Sequence, residues 1–356
     1  MKNSLPAAAM LAILTVGGVL CAQNAPSASL LVLSKRDRSL AIIDPTTRKV
    51  LARAPVGDDP HEVIASTDGA TAYVSNYGGG SLHTLAVIDL ATRKALPSID
   101  LGPLSGPHGL TFVAGKTWFT AEGAKVIGSY DPATRKVDWV LGTGQNRTHM
   151  IYVSDDLKRI VTTNVSSGTV SIIEKAAVQG PGGPPPPGFG GPPPAGGPGN
   201  LPGPPRMDWN QTLVAVGNGP EGFDVSPGGK EIWVANAQDG TISIIDAATR
   251  KVTDTLAANV QGANRLKFTP DGKLVFVSML GGADLVVLDS GSRQQVKRIP
   301  IGHGAAGILM RPDASQAFVA CTPDNYVVVI NLHTLEVEGK ISDIGEPDGL
   351  AWAVRH

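Results

Sequence analysis

The stretch "SIIDAATRKV" (residues 243–252) recurs along the chain and determines the fold. It joins a short β-branched run to an aspartate and then to a turn containing Thr, Arg and Lys, the pattern of two strands with a tight connection. Close copies are "AIIDPTTRKV" (41–50), "AVIDLATRKA" (86–95) and "GSYDPATRKV" (128–137). Weaker copies are "SIIEKAAV" (171–178), "VVLDSGSRQQV" (286–296) and "VVINLHTLEV" (328–337). These copies indicate an internal repeat.

The repeat has a regular period. Its acidic or amide landmark occurs at Asp44, Asp89, Asp131, Glu174, Asp246, Asp289 and Asn331, at spacings of 45, 42, 43, 72, 43 and 42 residues. The long interval contains residues 179–206, a segment of proline and glycine, and without those 28 residues it shortens to 44. A period of about 40–45 residues is typical of propeller blades. We therefore expect seven blades, one of which carries a disordered insertion over 179–206.

Each repeat contains four strands. In the clearest copy these are "EGFDVS", "EIWVAN", "TISIID" and "KVTDTLA", and four strands make one blade. The first repeat lacks its first strand, whereas the chain finishes on "PDGLAWAV" (347–354), a first strand with no successor. The sequence predicts an all-β, seven-bladed β-propeller over residues 23–356, closed by the C-terminal strand joining the N-terminal three.

The N-terminus and the overall charge bear on location and partners. Residues 1–22 have a basic start at Lys2, an apolar run and small residues near Ala22, which is the pattern of a Sec-type signal peptide cleaved near Ala22. We expect a periplasmic or extracellular protein with no transmembrane segment. The formal net charge of −1 gives no basis for nucleic-acid binding, which normally requires a basic surface. Cys321 would be the single cysteine of the mature chain, so no internal disulfide is predicted.

Three segments resemble the bacterial family of roughly 40-residue β-propeller repeats named for a Tyr-Val-Thr-Asn (YVTN) motif. They are Tyr73-Val74-Ser75-Asn76, Trp233-Val234-Ala235-Asn236 and, more loosely, Val161-Thr162-Thr163-Asn164. The resemblance covers essentially the whole mature chain outside the insertion. It implies the fold and export, but no particular activity, because one propeller fold hosts many functions.

A weaker similarity links Pro107-His108-Gly109 to streptogramin B lyase-like propellers, which carry Pro-His-Gly elements. That family is enzymatic and uses a divalent cation. The match is limited to this tripeptide.

Aligning the repeats singles out one position at the start of each first strand. Around the predicted ring it is occupied by His61, His108, His149, Glu221, Asn264, Ala306 and Asp348. Turns between the second and third strands should lie on the same face of the propeller, and they contribute Asn76, Glu122, Asn164 and Asn236. Because concave sites with a few converging polar groups are the usual place for ligands, we predict a polar ligand-binding funnel there.

Several interpretations of the funnel remain open. His61, His108, His149 and Glu221 would make a divalent-metal set of three nitrogens and one oxygen, although no compact metal motif establishes a cofactor. Alternatively, blade duplication has simply repeated the position, and its side chains hydrogen-bond neighbouring loops.

We interpret the chain as an exported binding or scaffold module rather than an enzyme, expected to be monomeric, with a small molecule, a peptide or an exported protein as its partner. The presence of Ala306 at the repeated position favours this interpretation, because a binding site tolerates the loss of one polar group. The alternative is a metal-dependent lyase or hydrolase that uses the histidines and Glu221 as ligands or base.

Overall fold

The computed structural model describes residues 28–178 and 206–355, so the predicted signal peptide and residues 179–205 of the predicted insertion lie outside the described residues. The described chain is all-β, as predicted, with 28 strands in seven antiparallel four-stranded sheets. Its only helices are two single turns of 3-10 helix, Gly78–Gly80 and Val165–Ser167. Within the described ranges, no helix has the length and apolar character needed to cross a membrane.

The strands follow the predicted four-per-blade order. Blade 1 consists of β28 (Pro347–Val354), β1 (Ala28–Ser34), β2 (Ser39–Ile43) and β3 (Val50–Pro55). Blade 2 consists of β4 (Pro60–Ala65), β5 (Thr71–Asn76), β6 (Thr84–Asp89) and β7 (Lys94–Asp100). Blade 3 consists of β8 (Pro107–Val113), β9 (Lys116–Ala121), β10 (Val126–Asp131) and β11 (Lys136–Gly142). Blade 4 consists of β12 (Thr148–Val153), β13 (Arg159–Asn164), β14 (Thr169–Val178) and β15 (Arg206–Ala215).

The last three blades repeat this arrangement. Blade 5 consists of β16 (Pro220–Val225), β17 (Glu231–Asn236), β18 (Thr241–Asp246) and β19 (Lys251–Leu256). Blade 6 consists of β20 (Ala263–Phe268), β21 (Leu274–Met279), β22 (Asp284–Asp289) and β23 (Gln295–Pro300). Blade 7 consists of β24 (Ala305–Met310), β25 (Gln316–Cys321), β26 (Tyr326–Asn331) and β27 (Glu336–Ile341). Arg206, which the sequence pattern assigned to the insertion, is the first residue of β15 and pairs with Val178.

The first strands surround a central axis. Each of β4, β8, β12, β16, β20, β24 and β28 contacts the first strands of the blades on both sides. The last strand of the chain, β28, pairs antiparallel with β1, for example at Leu31 and Ala351. The N-terminal and C-terminal strands therefore share blade 1, and side chains at the start of all seven first strands can converge on the axis.

The repeated Asp-Thr-Arg-Lys segment forms the turn from the third to the fourth strand. Asp246 Oδ1 accepts hydrogen bonds from the backbone N–H and the hydroxyl of Thr249, at 2.7 and 2.8 Å. The next residue, Arg250, has a left-handed backbone with φ of 58°, and its N–H bonds the Asp246 carbonyl at 2.8 Å. Short aspartate side chains satisfy backbone donors in this way, so the motif that revealed the period is a structural turn.

The core lies between successive sheets rather than inside any one of them. One apolar cluster joins Leu31 of blade 1 to Val74 of blade 2, and another joins Trp233 of blade 5 to Val277 of blade 6. In blade 5, for example, the second and third strands are buried over almost their whole length, as expected of strands that are covered on both faces. Blade-on-blade packing thus stabilises the fold and fixes the position of the first strands.

The close approach of neighbouring first strands requires glycine at Gly109. A Cβ there would lie 2.5 Å from the carbonyl oxygen of His149 and 2.8 Å from the Cα of Met150. We expect Gly109→Ala to lower the free energy of unfolding by about 1–3 kcal/mol, because added volume strains a packed interior. Gly142→Ala, where a Cβ meets no atom within 4 Å, is the matched control and should be nearly neutral in urea unfolding. Equal effects of the two substitutions would contradict the packing explanation.

The buried thiol of Cys321 should make stability depend on alkaline pH. Burial raises the pKa of this free cysteine to about 12, whereas the thiol of the unfolded chain ionises near 8.5. Its contribution to stability is therefore complete below the unfolded pKa and is lost as pH rises toward the folded pKa, by about 1.4 kcal/mol per pH unit. The difference in unfolding free energy between the native protein and Cys321→Ala should shrink with this slope between pH 9 and 11. A difference that does not change with pH would refute the assignment.

Candidate functional site

The repeated position is the second residue of every first strand. His61, His108 and His149 occupy it in blades 2, 3 and 4, and the other four members are Glu221, Asn264, Ala306 and Asp348. In each blade the pairing of the first strand with the second shifts register near this residue. Such a bulge redirects side chains. We call this end of the axis the channel mouth.

The three histidines form a continuous row at the channel mouth. The Nδ1 atom of His61 lies 3.2 Å from the Nε2 atom of His108. The rings of His108 and His149 are tilted by 34°, with their centroids 3.8 Å apart. Side chains that are separated by more than 40 residues in the sequence are thus in direct contact.

His149 lies between two carboxylates. Its Nδ1 contacts Glu122 Oε1, and its Nε2 lies 2.8 Å from Glu221 Oε2. Burial alone would lower the pKa of His149, but the charge of Glu221 and the hydrogen bonds to both carboxylates outweigh burial and raise it. For the Glu221 carboxylate, burial acts in the opposite direction and would raise the pKa. The positive charges of His149 and Arg147 outweigh burial and lower this pKa to about 2. His149, Glu122 and Glu221 thus form a compact and largely buried cluster of ionisable groups.

His108 differs because it has no charged partner. It is 2% exposed, and burial, together with the positive charges around it, lowers its pKa well below the ordinary histidine value. Its Nδ1 atom is buried without a hydrogen-bond partner, an exception to the rule that buried polar atoms are satisfied. Three potential ligand atoms, one each from His108, Glu122 and His149, lie within 4.8 Å of one another. A neutral imidazole, a second imidazole and a carboxylate therefore share one buried location.

At the other end of the row, His61 lies in a charged environment. Its Nε2 is 3.0 Å from Asp59 Oδ1 and 2.8 Å from Lys35 Nζ. Lys35 Nζ also pairs with Asp59 at 3.0 Å and with Asp348 Oδ2 at 3.4 Å. Burial raises the pKa of Asp348, whereas the hydrogen bond from His61 lowers that of Asp59. A lysine thus brings the aspartate of blade 1 into contact with the histidine of blade 2.

The residue that precedes each first strand has a left-handed backbone in all seven blades. Four blades use glycine there, and the other three have Asp59, Arg147 and Glu346. A left-handed conformation costs about 1 kcal/mol or more for a residue other than glycine. Asp59 contacts His61, and Arg147 lies 3.2 Å from Glu221 and 3.6 Å from Glu122. Two of the three strained positions therefore place charged side chains beside the histidine row.

Glu122 belongs to a different position from that expected from the sequence. Its backbone N–H bonds the carbonyl of the left-handed residue of its blade, as do the N–H groups of Lys35 and Tyr77. Lys35, Tyr77 and Glu122 therefore occupy equivalent positions in their blades. The asparagines at the ends of the second strands do not share that position. Tyr77 donates a hydrogen bond of 2.6 Å to Glu122 Oε2, and its burial and this bond raise its pKa to about 12.

The asparagines at the ends of the second strands form bonds within their own blades. Asn76 bonds Thr84 at 3.0 Å, and Asn164 and Asn236 each bond the Thr and the Ser of the following strand at 3.0 and 2.9 Å. Asn264 accepts a hydrogen bond of 3.2 Å from Arg265. The predicted ligand-binding role of these four residues stays a prediction.

Sequence reasoning missed Lys35, Asp59, Tyr77, Arg147 and Arg265. The signal that could have found the first four is the repeat register, because they occupy the positions just before the first strands and just after the second strands. Each of these four residue types occurs only once at its position around the ring, so the aligned repeats do not single any of them out.

Comparisons with known proteins support the fold. A family model described as the cytochrome D1 heme domain matches residues 203–310, less than a third of the chain. The matched segment includes Glu221, Asn264 and Arg265 but none of the histidines of the row. No match to a curated protein was found.

Several solved structures resemble most of the chain. A protein of unknown function from Desulfotomaculum acetoxidans DSM 771 aligns with a TM-score of 0.71 at 15% identity, covering 91% of this chain and 98% of that one. Kuenenia stuttgartiensis hydrazine synthase aligns with a TM-score of 0.65 at 18% identity, covering 85% and 92%. The dihydro-heme d1 dehydrogenase NirN aligns with a TM-score of 0.59 at 14% identity, covering 90% and 74%. At these identities the likeness shows the propeller fold alone.

Proposed function

We propose that this chain is an exported binding module that holds one divalent transition-metal ion at the channel mouth, with His108, His149 and Glu122 as ligands. The observation that carries this proposal is the close approach of His108, Glu122 and His149, each of which places a ligand atom within 4.8 Å of the other two. The Nδ1 atom of His108 is in addition buried without a hydrogen-bond partner. Imidazole nitrogens and carboxylate oxygens are ordinary ligands of zinc, manganese and related ions.

The geometry of the three groups supports a metal ion. A tetrahedral ion with bonds of about 2.0–2.2 Å holds its ligand atoms about 3.5 Å apart, and the three atoms lie within 4.8 Å of one another. Tyr77 holds Oε2 of Glu122, so its other oxygen, Oε1, remains directed toward His149.

The sequence-based set of His61, His108, His149 and Glu221 is thereby modified. His61 already contacts His108, Asp59 and Lys35 through its two nitrogens. Glu221 contacts Arg147 through one oxygen and His149 through the other. Among the described residues, the ligand atoms that lie within 4.8 Å of one another belong to His108, Glu122 and His149, so we assign His61 and Glu221 to the surroundings of the ion and Glu122 to its ligands.

Two charges favour ligand binding over catalysis. The pKa of Glu221, about 2, makes this carboxylate a weak base near neutral pH, although the metal-dependent lyase or hydrolase alternative would use it as the base. Arg147 remains 42% exposed at its side chain and can meet an anionic group of a small molecule that approaches the ion. We therefore propose a carboxylate-bearing small molecule as the partner.

The residues do not fit a heme-type macrocycle. An axial histidine must direct a free nitrogen into a space wide enough for the macrocycle. His108 and His149 are only 2% and 3% exposed, and their rings lie 3.8 Å apart, which leaves no room for a macrocycle between them. The nitrogens of His61 face His108, Asp59 and Lys35. We derive no function from the heme-domain match.

Equilibrium dialysis against Zn²⁺, Mn²⁺, Co²⁺ and Cu²⁺, followed by elemental analysis, tests the proposal. We expect about one ion per chain for the wild type and none for the double variant His108→Gln/His149→Gln, because each imidazole supplies a bond. The matched control is His83→Gln/His303→Gln, which removes two exposed histidines that lie beside Asp100 and Asp324. The proposal is wrong if the wild type takes up no ion or if the His108/His149 variant still binds one.

A further inference from the structure

A chain of side chains leads from Asp59 through His61 to the unpartnered nitrogen of His108. Asp59 Oδ1 lies 3.0 Å from His61 Nε2, and His61 Nδ1 lies 3.2 Å from His108 Nε2. If Asp59 accepts the proton of His61 Nε2, then His61 Nδ1 is an acceptor and His108 donates from Nε2. A neutral imidazole carries one proton, so the Nδ1 atom of His108 then holds a lone pair.

The backbone provides a second and independent observation. Asp59 has φ of 47°, at a position where four of the seven blades have glycine. Strained conformations of this kind cluster where the surrounding structure needs the side chain. The Asp59 carboxylate reaches His61 and Lys35, and its Oδ2 accepts a hydrogen bond of 3.1 Å from the backbone N–H of Gly79. These contacts hold the carboxylate at the outer end of the histidine row, at a position where the backbone favours glycine.

We propose that Asp59 and His61 are positioning residues that fix the tautomer of His108, so that its Nδ1 lone pair faces the ion while His61 itself is not a ligand. This inference rests on the proposed metal site and deepens it. Carboxylates and other acceptors behind a metal-bound imidazole orient the ring and make it a better ligand. Here the carboxylate would act through an additional imidazole.

Lys35 favours a competing arrangement. Its ammonium, 2.8 Å from His61 Nε2, can only donate. If Lys35 donated to this nitrogen, His61 would donate from Nδ1, and His108 would keep its own proton on Nδ1 with no lone pair for an ion. Lys35 can instead donate to Asp59 and Asp348, both within 3.4 Å. Binding of an ion at His108 selects the arrangement in which Asp59 accepts from His61.

The test compares Co²⁺ binding by the full chain and two variants, measured by competition with a chelator and by visible absorption. His61→Phe keeps an aromatic ring against Tyr77 and His108 but removes both nitrogens. Asp59→Asn keeps a residue that tolerates a left-handed backbone but removes the charge. We expect His61→Phe to weaken Co²⁺ binding by about 10- to 100-fold and Asp59→Asn by less. The absorption bands of bound Co²⁺ should stay at the wild-type wavelengths, because the ligands are unchanged.

Two controls keep the outcomes separate. His303→Phe, at an exposed histidine paired with Asp324 at 3.3 Å, should leave the Co²⁺ affinity unchanged, whereas His108→Gln should change both the affinity and the spectrum. Unchanged affinity in His61→Phe would overturn the positioning role while leaving the metal site intact. A shifted spectrum in His61→Phe would show that His61 is itself a ligand and would also overturn it. Failure of the wild type to bind Co²⁺ would overturn the proposed function itself.

Discussion

Replacing Glu62 with glutamine should lower the free energy of unfolding by about 3–5 kcal/mol, the usual cost of leaving a buried charge without its partner. Glu62 is the third residue of β4, and its carboxylate accepts a hydrogen bond from Arg265, the third residue of β20. Blades 2 and 6 are not neighbours in the ring, so this ion pair spans the channel. Arg265 is only 7% exposed at its side chain, and water can compensate for little of the lost interaction.

A double-variant cycle identifies the cause. Glu62→Leu/Arg265→Met removes both charges and should recover much of the loss, because apolar residues of similar volume often replace a buried ion pair at small cost. The coupling energy is measured by urea unfolding of the wild type, Glu62→Leu, Arg265→Met and the double variant, with a chelator present throughout. If the double variant lost as much as the sum of the single variants, the ion pair would not be the source of the effect.

Saturation with metal should stabilise the protein, and Glu122→Gln should abolish that stabilisation. A ligand that binds the folded state alone, at a free concentration 100 times its dissociation constant, raises the free energy of unfolding by about 2.7 kcal/mol. Glu122 supplies the proposed carboxylate ligand, and glutamine lacks its charge. The comparison is urea unfolding with and without Zn²⁺ for each variant.

Glu221→Gln is the matched variant for this experiment. Glu221 contacts the same histidine as Glu122, through the other nitrogen, but lies outside the proposed ligand set. We expect Zn²⁺ to stabilise Glu221→Gln nearly as much as the wild type. The reverse result, with Glu221→Gln insensitive to Zn²⁺ and Glu122→Gln still stabilised, would support the ligand set inferred from the sequence.

The architecture could be predicted from the sequence because the signals that determine it are local and repeated. Six turns such as that at Asp246, with Glu174 at the corresponding position of blade 4, set the period, and β-branched runs such as Thr241–Asp246 mark the strands. The common position of His61, His108 and His149 also followed from the period. The structure places all three histidines in one row.

The rest of the site could not be predicted, because it depends on contacts between blades. Lys35 and Asp348 are in contact although more than 300 residues separate them in the sequence. No local sequence pattern predicts such a contact. Asp59 and Arg147 occupy a position where the backbone favours glycine, so their importance appears only when φ is known. Glu122 was among the predicted residues, but its equivalence to Tyr77 emerged only from backbone hydrogen bonds.

Anomalous diffraction from crystals grown with Zn²⁺ or Co²⁺ tests the central claim most directly. The account predicts one strong anomalous peak per chain at the channel mouth, within about 2.0–2.2 Å of a nitrogen of His108, a nitrogen of His149 and an oxygen of Glu122. His61 and Glu221 should lie beyond bonding distance of the peak. A peak bound to His61 or Glu221 in place of these ligands, or no peak at the channel mouth at saturating metal, would contradict the account.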